Sequence, residues 1–461
     1  MTFPMNPNVR CFREGEEPVY QRFINRPPLE TKSRVAVVRG QDYGQADTMV
    51  RKALELLTIT EVCGKRDQVL IKPNIVLPSP PEMAETTHPN VVAAMVKICK
   101  ETGARVTVGD SCAWDIPMDL VLETTRVKAA ALEAGADEVV DFAQVERVDV
   151  EVPNARAIKI ASIPRCVVEA DVVINLPKMK NNFVTLTTLG IKNMLGMLPA
   201  AQRHPYHRTP WDMAWATNDL FKIVKDKHRL TLIDGIVGVE GATHLGTVCR
   251  PGVIVASRDP IAAEAVTNTI MGYNPLESPH VQVGMKDGLG TGDLVEIEIV
   301  GAKLEEVIYP FQRSMLRFVS EYPNVTEFYG GACHACLWAA VAVPPVVDSG
   351  KKYAVIAGTR AFIAKGLHEF DEAWLVGTCA CNARQQFPGY LEKIRVAKKT
   401  VRMPTCPGWT HLIENNMFDP GRFVEIPDVI RREMLEQGRA GIADIYDVLT
   451  EGNVSKRSDT A

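Results

Sequence analysis

The sequence predicts an α/β protein of two domains, each a mostly parallel sheet flanked by helices. Three observations predict it. Short β-rich runs alternate with segments of helical spacing from Arg34 onward. The alternation breaks around residues 301–325 and then resumes. Polar residues and cysteines gather just after the β-rich runs, where a parallel sheet presents its carboxyl ends.

The elements follow in order. Arg34 to Val38 is a first strand, Ala46 to Leu57 a helix, Gln68 to Lys72 a second strand, and Val91 to Glu101 an amphipathic helix. Arg105 to Val108 is a third strand. Later strands are expected at Val148–Val152, Ile158–Ile160, Asp171–Asn175, Leu230–Ile233, Val253–Ala256 and Val295–Ile299. Phe311 to Tyr322 has the spacing of a bridging helix. The second unit has strands at Tyr353–Ala357, Ala373–Val376 and Thr400–Met403, with helices at Ala361 to His368 and Tyr390 to Lys398. The expected organisation is an N-terminal arm at 1–32, an α/β domain at 33–302, a cysteine-rich α/β domain at 303–452 and a disordered tail at 453–461.

At 461 residues the chain exceeds one ordinary core, since a domain holds roughly 100–200 residues. Its 52 Lys+Arg against 56 Asp+Glu give a net charge of −4, which argues against a nucleic-acid partner. The N-terminus has no apolar core segment, so a secretory signal is not expected. The longest apolar stretch, Leu337 to Val347, is broken by Pro344-Pro345 and falls short of the ~20 residues a membrane helix needs. A cytoplasmic protein is the expectation. Its eleven cysteines then are not a disulfide framework, and Cys63, Cys99 and Cys166 read as small buried hydrophobes.

Five cysteines cluster in the second unit: Cys333 and Cys336 in GGACHAC, Cys379 and Cys381 in GTCAC, and Cys406 in TCPG. Cys379 and Cys381 follow one strand directly, Cys406 follows another, and Cys333 and Cys336 follow the Phe328-Tyr329 run. A parallel sheet would bring three segments to one edge. Thiolates with no carboxylate-rich loop beside them favour a soft metal. An iron–sulfur cluster, of the 4Fe–4S type, is the first expectation, with zinc the alternative. The spacing differs from the ferredoxin run, so a cluster would be assembled from three loops. A dithiol redox pair and inert buried thiols are the other readings.

The first unit has its own polar edge. Lys72-Pro73-Asn74, Thr86-Thr87-His88, Gly109-Asp110-Ser111, Lys178 to Asn182, Lys192-Asn193, Asp234-Gly235 and Arg258-Asp259-Pro260 all follow β-rich runs or cap helices. Lysines and asparagines at such an edge suit a carboxylate or phosphate. Taken singly, each could be an ordinary cap or turn. Here the chain resembles the domain-of-unknown-function family 362, through Lys72-Pro73-Asn74, Thr86-Thr87-His88, Gly109-Asp110-Ser111, Ile174 to Lys180, Lys192 to Gly196 and Asp259 to Ala262, over about residues 34–300. The resemblance implies an association with iron–sulfur chemistry but supplies no ligands, because many members carry a ferredoxin-like tail that this chain replaces with the three-loop unit. It also departs where the family often has a histidine and this chain has Asn181-Asn182. The two-domain plan is distantly similar to that of nickel-dependent lactate racemases, with no carry-over of their metal-binding residues.

His204, His207 and His244 lie in expected loops, and the glycine-flanked His244 is the best candidate for proton transfer among them. The leading expectation is a redox enzyme, or a cluster-dependent lyase, acting on a small anionic substrate. Lys178, Lys180 and His244 would be catalytic. Lys72, Asn74, Asp110, Ser111, Lys192 and Asn193 would hold the substrate, with the cluster on Cys333, Cys336, Cys379, Cys381 and Cys406 across the interdomain cleft. A redox partner protein and a homo-oligomer are further expectations. The alternatives are an electron-transfer or metal-carrier protein without its own substrate, and a zinc-stapled non-catalytic protein. No G-x-S-x-G, H-E-x-x-H, Walker or G-x-G-x-x-G motif redirects the reading.

Overall fold

Strands with apolar residues on both faces need cover on both faces, and the first sheet is built that way. The computed structural model describes residues 32–112, 117–182, 184–207, 210–241, 247–313, 324–329, 350–358, 366–381 and 390–403, with Ala332, Ala361 and Ile363. The first unit contains β1 (Ser33–Arg39), β2 (Gln68–Pro73), β3 (Arg105–Asp110), β4 (Glu138–Asp141), β5 (Arg147–Glu151), β6 (Ile160–Pro164), β7 (Val172–Leu176), β8 (Lys178–Asn182), β9 (Leu186–Thr188), β10 (His228–Glu240), β11 (Thr247–Cys249), β12 (Val253–Ser257) and β13 (Ile297–Gly301). The large sheet runs β13-β1-β12-β10-β7-β2-β3-β4, with β8, β9 and β11 paired alongside.

Side chains alternate between the faces. Ala36, Val69, Ile71, Val106 and Ile174 pack in one core with the helices Ala46–Leu56 and Pro89–Glu101. Leu70 and Val173 turn the other way and pack with Met213, Leu220 and Phe221 of the helix Pro210–Val224. Val35, Val255 and Ile233 join Ala262 and Val266 of the helix Pro260–Ile270 in a third cluster.

Most pairings in this sheet are parallel, as expected, but β12 is antiparallel to both β1 and β10. Between β10 and β12 comes β11, itself antiparallel to β10, and no crossover helix is seen there among the described residues. The strands expected near residues 148–152 and 158–160 are present, but they form a separate antiparallel pair, β5 with β6. The chain also stays with the large sheet past residue 302. Phe311 N donates to Met271 O, and Gln312 O accepts from Gly241 N. Phe311 to Arg313 is not helical, and the rest of the helix expected there lies outside the described residues.

The second sheet is all parallel, in the order β14 (Val325–Tyr329), β15 (Tyr353–Ala357), β16 (Glu372–Val376) and β17 (Lys399–Met403). Tyr329, Ala357, Val376 and Met403 are register partners in succession, so all four strands end on one line. The helix expected over Ala361 to His368 differs from what is seen: the described residues there are not helical, and Leu367 N bonds across to Lys393 O. Between the last two strands the chain does form a helix, Tyr390–Arg395.

Candidate functional site

The carboxyl ends of β2, β3 and β7, and the middle of β10, bring charged residues together under cover. Lys72 pairs in register with Asn175. Beyond Asn175 the chain turns at Pro177 and continues as β8, which puts Lys178 in register with Asp234. The result is a set of buried lysines, each with a definable partner.

Lys72 Nζ lies 2.7 Å from Asp110 Oδ1, and Asp110 Oδ2 accepts from Ile75 N at 2.8 Å. Lys178 Nζ lies 2.8 Å from Asp234 Oδ2 and donates to Tyr43 Oη at 2.6 Å. Tyr43 Oη in turn donates to Asp234 Oδ1 at 3.0 Å, and His88 N donates to Asp234 Oδ2 at 2.9 Å. The His88 ring stacks on the Tyr43 ring at 3.5 Å between centroids. Burial and the Asp234 charge push the Tyr43 phenol well above its ordinary range, so it stays protonated. Lys180 Nζ donates to Glu85 O at 2.6 Å and sits 3.8 Å from the Glu85 carboxylate.

Lys192 is different. It is half-buried, whereas Lys72, Lys178 and Lys180 are buried. No hydrogen bond or ion pair to its amine is seen among the described residues. Burial, and then the charges of Lys180 and Arg203, push it down to about 7. Arg203 has carbonyl and hydroxyl partners rather than a carboxylate: Leu198 O, Cys112 O and Ser111 Oγ. Five cations (Lys72, Lys178, Lys180, Lys192, Arg203) thus share the site with three buried carboxylates, Asp110, Asp234 and Glu85. Counting the half-buried Asp141 beside Arg203 leaves one cation in excess when Lys192 is protonated and none when it is neutral. Glu264 adds no negative charge at neutral pH, because burial raises it to about 8.

Several buried polar atoms here have no hydrogen-bond partner among the described residues: Asn74 Oδ1, Thr86 Oγ1, Thr188 Oγ1, Glu264 Oε2 and His280 Nε2. Thr188 lies opposite Lys180 across β8 and β9. His280 is held neutral, at about 3, by burial and by the Lys192 charge.

The structure therefore redistributes the roles read from the sequence. Lys72 was expected to hold an external anion and Lys178 to be catalytic, but each is already paired with a buried carboxylate. Asp110 was expected to contact substrate and is instead the Lys72 counter-ion. Ser111 Oγ donates to Gly196 O at 2.6 Å and accepts from Arg203. The Asn193 amide is used up on Lys72 O, Pro73 O and Asn175 Oδ1. These two are framework groups. Lys180, Lys192 and Asn74 keep the capacity for a ligand. Asn181 and Asn182 brace neighbouring segments, through Gln312 O for the first and the amides of Val184 and Thr185 for the second. His207 bonds to Arg203 O. Nothing is described of the His204 side chain, and His244 lies outside the described residues. Tyr43 and His280 were missed. Tyr43 sits in a turn that carried no motif, and His280 lies in a helix after the polar strand ends.

Of the five cysteines, Cys333, Cys336 and Cys406 lie outside the described residues. Cys379 and Cys381 fall on the helix Gly377–Cys381, which starts directly after β16. Cys381 Sγ donates to Leu375 O at 3.5 Å. Cys63 and Cys99 are buried, as expected, but Cys166 is half-exposed.

Residues 69–269 match the model of the domain of unknown function DUF362. That segment belongs to the DUF362 family. It contains Lys72, Asp110, Lys178, Lys180, Lys192, Arg203 and Asp234; Tyr43, His280 and the five clustered cysteines lie outside it. A curated relative is the thylakoid-associated protein sll1697 of Synechocystis sp. (strain ATCC 27184 / PCC 6803 / Kazusa). It is 26% identical over 317 residues, which is 62% of this chain and 96% of the relative. Among solved structures, the lactate racemase apoprotein of Thermoanaerobacterium thermosaccharolyticum matches with a TM-score of 0.32 and 13% identity, over 53% of this chain and 58% of that one. The chain thus spans somewhat over half the length of the racemase. Among the described residues no helix is long and apolar enough to cross a membrane.

Proposed function

We propose that this protein is a cytoplasmic enzyme that binds a small carboxylate- or phosphate-bearing substrate at the DUF362 strand ends, served by an iron–sulfur cluster on the second sheet. The observation that carries the anion site is Lys192, whose amine has no hydrogen-bond or ion-pair partner among the described residues and is crowded by the cations Lys180 and Arg203. Unpaired charge in a low-dielectric site is costly, and an anionic ligand relieves it. Asn74 Oδ1 and Thr188 Oγ1 would then take the hydrogen bonds they lack within the protein.

The cluster rests on different support. The cysteine segments leave from strand ends that share one line across β14 to β17. Cys333, Cys336, Cys379 and Cys406 would be the ligands, with Cys381 in reserve because its thiol bonds to Leu375 O. A bound cluster would supply electron transfer or Lewis-acid polarisation. Zinc suits the same sulfur donors and is decided by analysis of the metal itself.

Two measurements test the reading. Calorimetric titration with inorganic phosphate and propionate should show binding to the native protein, weakened at least tenfold in Lys192→Ala. Absence of binding to both removes the anion site. Iron and acid-labile sulfide should be present in anaerobically purified protein and absent from a Cys333→Ala/Cys379→Ala/Cys406→Ala variant. Zinc, or no metal, removes the redox reading. An electron carrier without a substrate of its own would hold the cluster and bind neither anion.

A further inference from the structure

We propose that Lys192 forms an imine with its substrate, which makes the substrate class a 2-oxo acid, an anion with a carbonyl beside its carboxylate. The inference rests on the anion-site reading above and adds a reaction to it.

The four strand-end lysines differ in the one respect that matters for a nucleophile. Lys72, Lys178 and Lys180 are buried, and each amine already donates to a carboxylate or carbonyl. An amine held by a buried carboxylate or carbonyl is not free to turn towards a ligand. Lys192 has no such partner among the described residues and keeps part of its surface open. Burial, and then crowding by the like charges of Lys180 and Arg203, favours its neutral amine, a known way of activating a lysine for attack on a carbonyl.

Its backbone is also fixed. Ile191 N donates to Glu264 Oε1, and the neighbouring Asn193 amide is tied to Lys72 O, Pro73 O and Asn175 Oδ1. The helix Gly190–Asn193 that carries the lysine is thereby restrained, which lowers the entropic cost of presenting its amine to a ligand. Lys180 and Arg203, whose charges favour the neutral amine, also attract the substrate carboxylate. His280 completes the set. Its Nε2 is buried without a partner among the described residues, and the imidazole is neutral and within the influence of the Lys192 charge. A neutral imidazole can both accept and return a proton.

The step balances as follows. The Lys192 nitrogen lone pair attacks the carbonyl carbon, a C–N bond forms, and the carbonyl π pair moves to oxygen. Oxygen takes up a proton and nitrogen gives one up, leaving a carbinolamine. A second proton on that hydroxyl lets it leave as water as the C=N bond forms. No oxidant or reductant is consumed.

The test uses the full-length protein with glyoxylate and pyruvate at neutral pH and cyanoborohydride, which delivers hydride to an imine carbon and fixes the adduct as a secondary amine. Peptide mass mapping then reads the modified lysines. Lys192 should label on the order of 100-fold faster than the exposed Lys97 and Lys225, because a larger share of it is uncharged. Lys192→Arg keeps the cation and should abolish the adduct at this position, while propionate, which has no oxo group, still binds. Labelling of Lys192 no faster than of Lys97 overturns the imine. If propionate and phosphate still bind the native protein in that case, the anion site stands without it; if neither binds, both fall together.

Discussion

The two sheets present their carboxyl edges in opposite ways. In the first, the chemistry lies in side chains that reach across strands and lock one another: Lys178 to Asp234 and Tyr43, Lys72 to Asp110. In the second, the cysteines of the proposed metal site follow in sequence from strands aligned in register. The first edge is therefore coupled to the stability of its own unit. The contrast separates residues that hold a site from residues that use it.

The sharpest test of the coupled edge is Asp234→Ala. It strands the Lys178 ammonium in a site with no exposure and removes the acceptor of Tyr43 Oη and His88 N. A broken buried pair costs about 3–5 kcal/mol. Urea denaturation should show that loss, and a Lys178→Met/Asp234→Leu variant should recover much of it, because no charge is then left unpaired. A loss below about 1 kcal/mol for the single variant would mean that the edge does not hold its unit together.

This pairing also marks what the sequence could not reveal. The lysines, asparagines and aspartates were visible because each follows a β-rich run. Their mutual engagement depends on the extra strand β8 after Pro177 and its register against β10, which set Lys178 opposite Asp234 across 56 positions of sequence. Tyr43 stands 135 positions from Lys178. Periodicity gives the direction of a strand's side chains but not its neighbour. For the same reason the antiparallel course of β12 was not read, while the strands Tyr353–Ala357 and Lys399–Met403 and the Asp259 cap of the helix starting at Pro260 were close to their expected places.

Glu264 gives a pH-dependent handle on the same edge. Its folded-state value is raised to about 8, above the ~4.3 of an unfolded glutamate, so its contribution to stability is complete below about 4.3 and is lost as pH rises towards 8. Subtracting a Glu264→Gln curve from the native one isolates this contribution from the nearby histidines. The difference should shift against the native protein by about 1–3 kcal/mol between pH 5 and pH 8. A flat difference would mean that Glu264 has the same affinity for protons folded and unfolded.

An effect of similar size should come from Gly196→Ala. A Cβ there would overlap Asp110 Oδ1 and come within 2.8 Å of Lys72 Nζ. Both atoms are fixed by their own pair, so the methyl group cannot be accommodated by swinging a side chain away. Overpacking of this kind costs about 1–3 kcal/mol. It should also weaken phosphate binding if the pair frames the anion site.

The smallest effect belongs to Arg51, which meets Asp47 and Glu101 at the surface with 43% of its side chain exposed. Water and salt screen such a cluster, and holding long side chains in place offsets much of what remains. Arg51→Met should change stability by less than about 1 kcal/mol, and by less still at high salt. Its charged groups are as close as those of Lys178 and Asp234, so the two variants compare ion pairs of similar length that differ in burial. Equal losses from both would show that distance governs these pairs. The expected gap of several-fold assigns the difference to desolvation, and thus to the cover that the helices place over the first sheet.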